Sequence, residues 1–224
     1  MEHFNVALDG PSGSGKSTAA KAVSGKLNIL YLDTGAMYRA TALKAIKCGV
    51  DCLDEEGVKK FIDDIDIKIE YRDGSQHTLL DGEDVSLKIR ENHVSMKASD
   101  ISSLKCVRLK MVELQRKIAS EMSCVLDGRD IGSFVLPDAK FKFYITADAD
   151  VRARRRQKEL AERGQTVDFE TLKKEIEQRD YNDSHREFAP LKRADDAILI
   201  DTSDMSAEEV AEKILGVIGA SNVL

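Results

Sequence analysis

The chain has 224 residues, with 34 Lys and Arg against 40 Asp and Glu, for a formal net charge of −6. That length suits one domain, or one domain with an insert, and folding it buries roughly 70% of the extended chain's surface, enough for a core without disulfides or structural metal. A composition of 42% hydrophobic and 33% charged residues excludes disordered, collagen-like and membrane classes, while 5% aromatics, no Trp and an acidic balance exclude a general nucleic-acid binder.

In chain order, the opening Met-Glu-His-Phe-Asn has no basic region followed by an apolar one, so a cytoplasmic location is expected. Short apolar runs at 4–8, 29–32, 124–126, 141–145 and 197–200 predict strands. Helical periodicity predicts helices near 15–27, 35–48, 97–120, 149–163, 168–182 and 206–218. Buried strands alternating with helices imply parallel βαβ crossovers, hence an α/β fold with a five-stranded parallel sheet flanked by helices. Residues 65–85 break the rhythm, with period-two alternation (Ile65, Ile67, Ile69, Tyr71) and hairpin signals at Asp73-Gly74 and Asp81-Gly82. They predict a small antiparallel three-stranded insert, bounded at 63–95. The four cysteines, Cys48, Cys52, Cys106 and Cys124, lack metal-ligand spacing and are expected as reduced thiols.

Gly10-Pro11-Ser12-Gly13-Ser14-Gly15-Lys16-Ser17 fits the phosphate-loop pattern, directly after a strand and before a helix. Glycines let successive N–H groups turn inward onto phosphate oxygens at the positive end of the next helix. Lys16 is expected to reach the β- and γ-phosphates of ATP and Ser17 to ligate Mg²⁺, with Thr18 completing the loop. No guanine-reading N-K-x-D motif is present, and the chain is short for a motor, which leaves small phosphotransferases.

Moving phosphate onto a phosphate crowds negative charge, and guanidinium is the matching cation because it stays charged and binds bidentately. Three arginine constellations meet that need. In Asp33-Thr34-Gly35-Ala36-Met37-Tyr38-Arg39, Thr34 is expected to cap a helix that carries Arg39. Asp127-Gly128-Arg129-Asp130-Ile131-Gly132 follows the third strand of the predicted sheet, at the edge where ligands bind in open α/β sheets. Arg179, Asp183 and Arg186 are spaced to share one helix face if that helix continues far enough. The stretch from Arg152 to Arg163 carries six basic residues against two acidic, a local +4. Beside a phosphate loop it reads as an arginine-rich lid over 150–168, with a turn at Gly164-Gln165-Thr166.

As a set, these segments, together with Val107-Arg108, Gln115-Arg116 and Pro137-Asp138-Ala139, resemble the bacterial-type cytidylate kinases, within the P-loop nucleoside monophosphate kinases. Order and spacing match nearly end to end. The resemblance implies a single P-loop NTPase domain over 1–224, in which 63–95 is the NMP-binding insert. It implies transfer of the ATP γ-phosphate to CMP or dCMP with Mg²⁺, and a monomer with no nucleic-acid or membrane partner. By the same resemblance, Thr34, Arg39, Arg129 and Arg186 hold the acceptor's phosphate, Arg179 and Asp183 meet its ribose, and Ser99, Arg108 and Asp130 read cytosine. The register of Ser99 is counted back from Arg108. Lys16, Arg129, Arg186 and the lid residues Arg152 and Arg156 are the cations expected at the transferred group. A carboxylate at 130 accepts from the cytosine amino group, whereas the O4 of uracil would meet it acceptor to acceptor.

Overall fold

The computed structural model describes residues 3–72, 75–162 and 164–221. The expected Asp73-Gly74 turn and Arg163 of the basic run lie outside the described residues. In chain order the elements are β1 (Asn5–Asp9), α1 (Lys16–Leu27), β2 (Leu30–Asp33), α2 (Thr34–Lys47), α3 (Glu55–Ile62), β3 (Ile67–Arg72), β4 (Ser75–Leu80), β5 (Glu83–Asp84), α4 (Asn92–Ile101), α5 (Lys105–Glu121), β6 (Cys124–Asp127), β7 (Phe141–Thr146), α6 (Ala149–Glu162), α7 (Phe169–His185), β8 (Ile198–Asp201) and α8 (Ala207–Ala220). They divide into two compact units, one ending at Tyr31 and resuming at Met122, the other spanning Leu32–Glu121.

The first unit is built on the five-stranded sheet, ordered β2-β6-β1-β7-β8. β1 pairs in parallel with β6 and β7, and β7 with β8. Alternate residues of β1, Val6 and Leu8, enter one core cluster with Phe143, Ile145 and Ile200, which α1 and α8 cover. Each of these large side chains, fully withdrawn from water, contributes about 1.5–3 kcal/mol. Ala19 and Ala20 give α1 a small-residue face there, and Ser206 and Glu209 form a reciprocal capping box at the start of α8. The functional consequence lies in the register: Leu8 pairs with Asp127 and its carbonyl accepts from Gly128 N–H at 2.9 Å. The loops leaving β1 and β6 therefore start side by side at the carboxyl edge.

In the second unit, α2 packs on α4 and α5, and α3 on α5. The insert is the antiparallel sheet β3-β4-β5, whose strands run between Ile67 and Asp84; beyond them 63–95 takes in a 3₁₀ turn at Lys88–Arg90 and the start of α4. The Asp81-Gly82 turn has φ of 51° and 82°, the mirror-image geometry that fits a tight hairpin. Lys44 and Lys47 of α2 pair with Asp81 and Glu83, tying the insert to that helix.

Two expectations change in detail. The single helix over 97–120 is two helices, α4 and α5, separated at Ser102-Ser103-Leu104. There the Ser102 and Ser103 hydroxyls donate to the carbonyls of Ser99 and Asp100, competing with helix continuation. The cap of α2 is Asp33, with Thr34 as first helical residue, because the Asp33 carboxylate accepts from Ala36 N–H at 2.9 Å.

Candidate active site

In the first unit, the phosphate loop turns out of β1 at Gly10, whose φ of 142° is accessible only without a side chain; a Cβ there would lie 1.9 Å from the Ile145 carbonyl oxygen. Gly13 and Gly15 are also at positive φ. Gly15 begins α1 with no side-chain cap and no acidic residue in the first turn, so the helix N-terminus keeps its backbone donors and positive end for an anion. Pro11 receives both the Ser14 hydroxyl at 3.0 Å and the Lys16 ammonium at 2.6 Å. Lys16 is buried, and that desolvation, reinforced by the charge of Arg129, lowers it to about 7. Ser17 and Thr18 are exposed at the start of α1, and Ser12 is half-buried in the loop.

Ser17 donates its hydroxyl to Asp127, which also accepts from the Tyr31 hydroxyl at 3.4 Å. Two hard oxygen donors thus meet at the carboxyl edge of β6, and no cluster of three or more His, Cys, Asp or Glu able to hold a metal exists among the described residues. A pair of protein oxygens, with water and phosphate supplying the rest, is the donor set that suits Mg²⁺.

Beyond Asp127, Arg129 donates through Nε to Asp183 at 2.9 Å. Burial works against the charge of Arg129, but Asp183, with Asp127 and Asp180, raises its pKa overall. Burial likewise opposes the charge on Asp183, and Arg129, Arg179 and Arg186 prevail and hold it below the usual carboxylate range. Arg186 lies 3.6 Å from Asp130 and 3.9 Å from Asp183, and its Nε donates to the Ala189 carbonyl. α7 reaches His185, so Arg179 and Asp183 share its helical run, while Arg186 has already turned to extended backbone as the C-cap. The structure therefore brings Arg129, Asp130, Asp183 and Arg186 into one cluster, the acids buried and the arginines half-buried.

The basic residues of α6 take different places. Arg152 is buried, donating to the carbonyls of Ala147 (2.8 Å) and Ser12 (3.2 Å) and to Asp180 (2.6 Å). It is a brace between the phosphate loop and α7. Arg155, to which the sequence reading gave no separate role, donates to the Thr202 carbonyl at 2.6 Å, and Thr202 in turn donates to the Ser14 carbonyl at 2.9 Å. Arg156 pairs with Glu159 one turn along its own helix. α6 stops where Gly164 N–H bonds to Ala161 and Gln165 N–H to Leu160, with Gly164 at φ 75°, so a turn does lie at this point.

In the second unit, Asp33 holds the start of α2 with both oxygens: one caps Ala36, the other accepts from Arg39 at 2.8 Å. Gly35 permits this, since a Cβ there would come within 3.1 Å of both Arg39 Nη1 and Asp33 Oδ1. The Arg39 Nε is buried without a hydrogen-bond partner among the described residues. From the insert, Gln76 accepts the Asp33 backbone N–H at 2.9 Å. Thr34 is buried at the head of the helix. Arg108 is 1% exposed on α5, donates to the Ser102 carbonyl at 3.3 Å and lies 5.4 Å from the Tyr38 ring centroid, within cation–π range. Ser99 sits half-buried on α4, its carbonyl taken by Ser102.

Sequence reasoning assigned no role to Asp9, Asp33, Gln76, Asp180 or Thr202. Asp9, next to the phosphate loop, and Asp33, at the head of a quoted segment, are acids that end strands, which is the available signal; Gln76, Asp180 and Thr202 act through partners 28 to 188 residues away.

Comparison with known proteins adds an independent observation. Shikimate kinase from Acinetobacter baumannii, in complex with shikimate, has a similar fold at 14% identity and a TM-score of 0.51, over 99% of this chain and 96% of that one. An uncharacterized protein from Eubacterium ventriosum ATCC 27560 reaches 0.52 at 15% identity, over 97% and 99%. In sequence, a cytidylate kinase of Caldicellulosiruptor saccharolyticus is 49% identical over 96% of this chain and 95% of its own length. One from Leuconostoc mesenteroides is 46% identical over 97% of each. The family model for cytidylate kinase matches residues 6–220, which includes the phosphate loop, the Asp33–Arg39 helix start and the Arg129–Asp183 cluster. With this match spanning nearly the whole chain, the protein belongs to the cytidylate kinase family.

Proposed function

We infer that this enzyme transfers the γ-phosphate of ATP to CMP or dCMP, giving CDP or dCDP and ADP. Membership in the cytidylate kinase family carries that reading. A phosphate oxygen of the monophosphate attacks the γ-phosphorus, the bond from phosphorus to the β-bridging oxygen breaks, and ADP leaves with that electron pair. The attacking group is already an anion, so the protein's work is positioning and charge compensation.

The loop Gly10–Thr18 wraps the ATP phosphates with its N–H groups, and Lys16, desolvated and close to neutral pKa, gains its full charge beside them. Ser17 and Asp127 are the residues that would hold Mg²⁺, which would supply charge neutralisation at the phosphates. Arg39, with a buried donor to spare, Thr34, Arg129 and Arg186 grip the acceptor's phosphate. Arg179 and Asp183 meet the ribose, and Ser99, Arg108 and Asp130 read cytosine. Arg152 acts on the transferred group through its hold on the Ser12 carbonyl, and Arg156 by exchanging Glu159 for phosphate. The residues of 63–95 form the NMP-binding insert and those of 150–168 the lid, in a monomeric cytoplasmic protein.

The test is a panel of nucleoside monophosphates with ATP and Mg²⁺, read by ADP release. CMP and dCMP should turn over fastest; brisk turnover on another acceptor with none on CMP or dCMP would sink the base assignment. Asp130→Asn should narrow the preference for CMP over UMP.

A further inference from the structure

The residues after Asp130 form a π-helical turn, Ile131–Val135, in which Val135 N–H bonds to the Asp130 carbonyl at 3.0 Å and Leu136 N–H to that of Ile131 at 2.7 Å. Asp130 is the N-cap residue of this turn, and aspartate at such a position ordinarily folds its carboxylate back onto the first free N–H groups. Here it makes no such bond. The two leading N–H groups, Ile131 and Gly132, are instead both taken at 2.7 Å by the two oxygens of Asp9, from the end of β1. Asp9 is 3% exposed and is followed at once by Gly10 of the phosphate loop. The Asp130 carboxylate faces Arg186 at 3.6 Å.

We propose that Asp9 is a positioning residue for substrate selection: it caps the Ile131 turn in place of Asp130 and so releases the Asp130 carboxylate to read the acceptor's base. The inference rests on the reading of Asp130 as the base-recognising group. Its physical basis is competition for two donors. A buried N–H left unpaired is costly, so if Asp9 lets go, Asp130 is drawn back onto its own turn and away from the ligand. Asp9 also joins the two loops leaving β1 and β6 through backbone hydrogen bonds. The far end of the turn is fastened separately, by Lys142 of β7, which donates to the Pro137 carbonyl and pairs with Asp196 at 2.6 Å. Loss of Asp9 is therefore a local event at Asp130.

Asp9→Asn leaves one acceptor and turns an amide donor toward a backbone donor. The measurement is the ratio of kcat/KM for CMP to that for UMP, in Asp9→Asn, Asp130→Asn and the double variant, with the KM for ATP recorded alongside. The expected result is an about tenfold fall in the ratio for Asp9→Asn with ATP KM within about twofold, and no further fall when Asp130→Asn is added. A ratio unchanged in Asp9→Asn while Asp130→Asn alone lowers it overturns the proposal and leaves the base assignment standing; a ratio unmoved by Asp130→Asn overturns both. A variant-free measurement decides the matter should Asp9→Asn not fold. The groups facing Asp9 are Lys16 of the loop, Asp130 of the turn, and Lys142 and Tyr144 of β7, and burial raises Asp9 to about 7. The wild-type ratio, in which the titration of the acceptor phosphate cancels, should fall between pH 8 and pH 6, and a flat ratio is the overturning result.

Discussion

Asp33 and Arg39 form an ion pair at 2.8 Å within the first two turns of α2, while the second Asp33 oxygen caps the same helix. One carboxylate thereby sets both where the helix starts and where its arginine points. In the other unit an acid likewise holds an arginine, Asp183 pairing with Arg129 at 2.9 Å, without capping a helix. In both places an acid holds a cation that the proposed function assigns to the acceptor's phosphate.

Asp33→Asn separates the two roles, because asparagine caps as well as aspartate but carries no charge. Melting should move by no more than about 1 kcal/mol equivalent, while the KM for CMP rises about tenfold as Arg39 loses its anchor. Calorimetry with steady-state kinetics checks this. A KM that stays put would show that Arg39 needs no orientation by Asp33.

Lys16 provides a case where function and stability oppose each other. Its folded pKa of about 7 is below its unfolded value, so the stability associated with it is present above the unfolded pKa and is lost as pH falls toward 7. Lys16→Met should abolish transfer, yet resist urea better than wild type by ~2–4 kcal/mol at pH 6.5, the advantage shrinking toward pH 10. Equal stability at both pH values would mean that Lys16 is not strained by burial.

Arg152 is buried against two carbonyls and Asp180, so Arg152→Ala leaves buried acceptors without a donor. The expected cost is about 2–4 kcal/mol in chemical denaturation, with a raised KM for ATP because the Ser12 carbonyl loses its brace. A freely moving lid arginine would lower kcat and leave stability alone.

Asp127→Asn removes the charge from the oxygen pair formed with Ser17. The Mg²⁺ concentration for half-maximal activity should rise about tenfold or more, with CMP KM little changed at saturating metal. An unaltered magnesium dependence would separate Asp127 from the metal.

Much of this was readable in advance because it is local. Short apolar runs placed all five strands of the parallel sheet, period-two alternation the hairpin insert, and the glycine motif the phosphate loop, since each depends on residues a few positions apart. The break between α4 and α5 was harder to see: Ser102 and Ser103 divert the backbone by side-chain hydrogen bonds that hydrophobic periodicity does not register. The basic run of α6 read as one charged face, and only packing separates buried Arg152 from Arg156, paired on the surface.

The sequence by itself determined the family, the phosphate loop and the identities of the cations, because glycine geometry and charge type are properties of the residues. Tertiary structure alone decided which acid serves which partner. Asp9 reaches donors 122 and 123 residues away, and Arg129 meets an acid 54 residues on, because the strand register sets the loops side by side and burial leaves each polar group only the partners within reach.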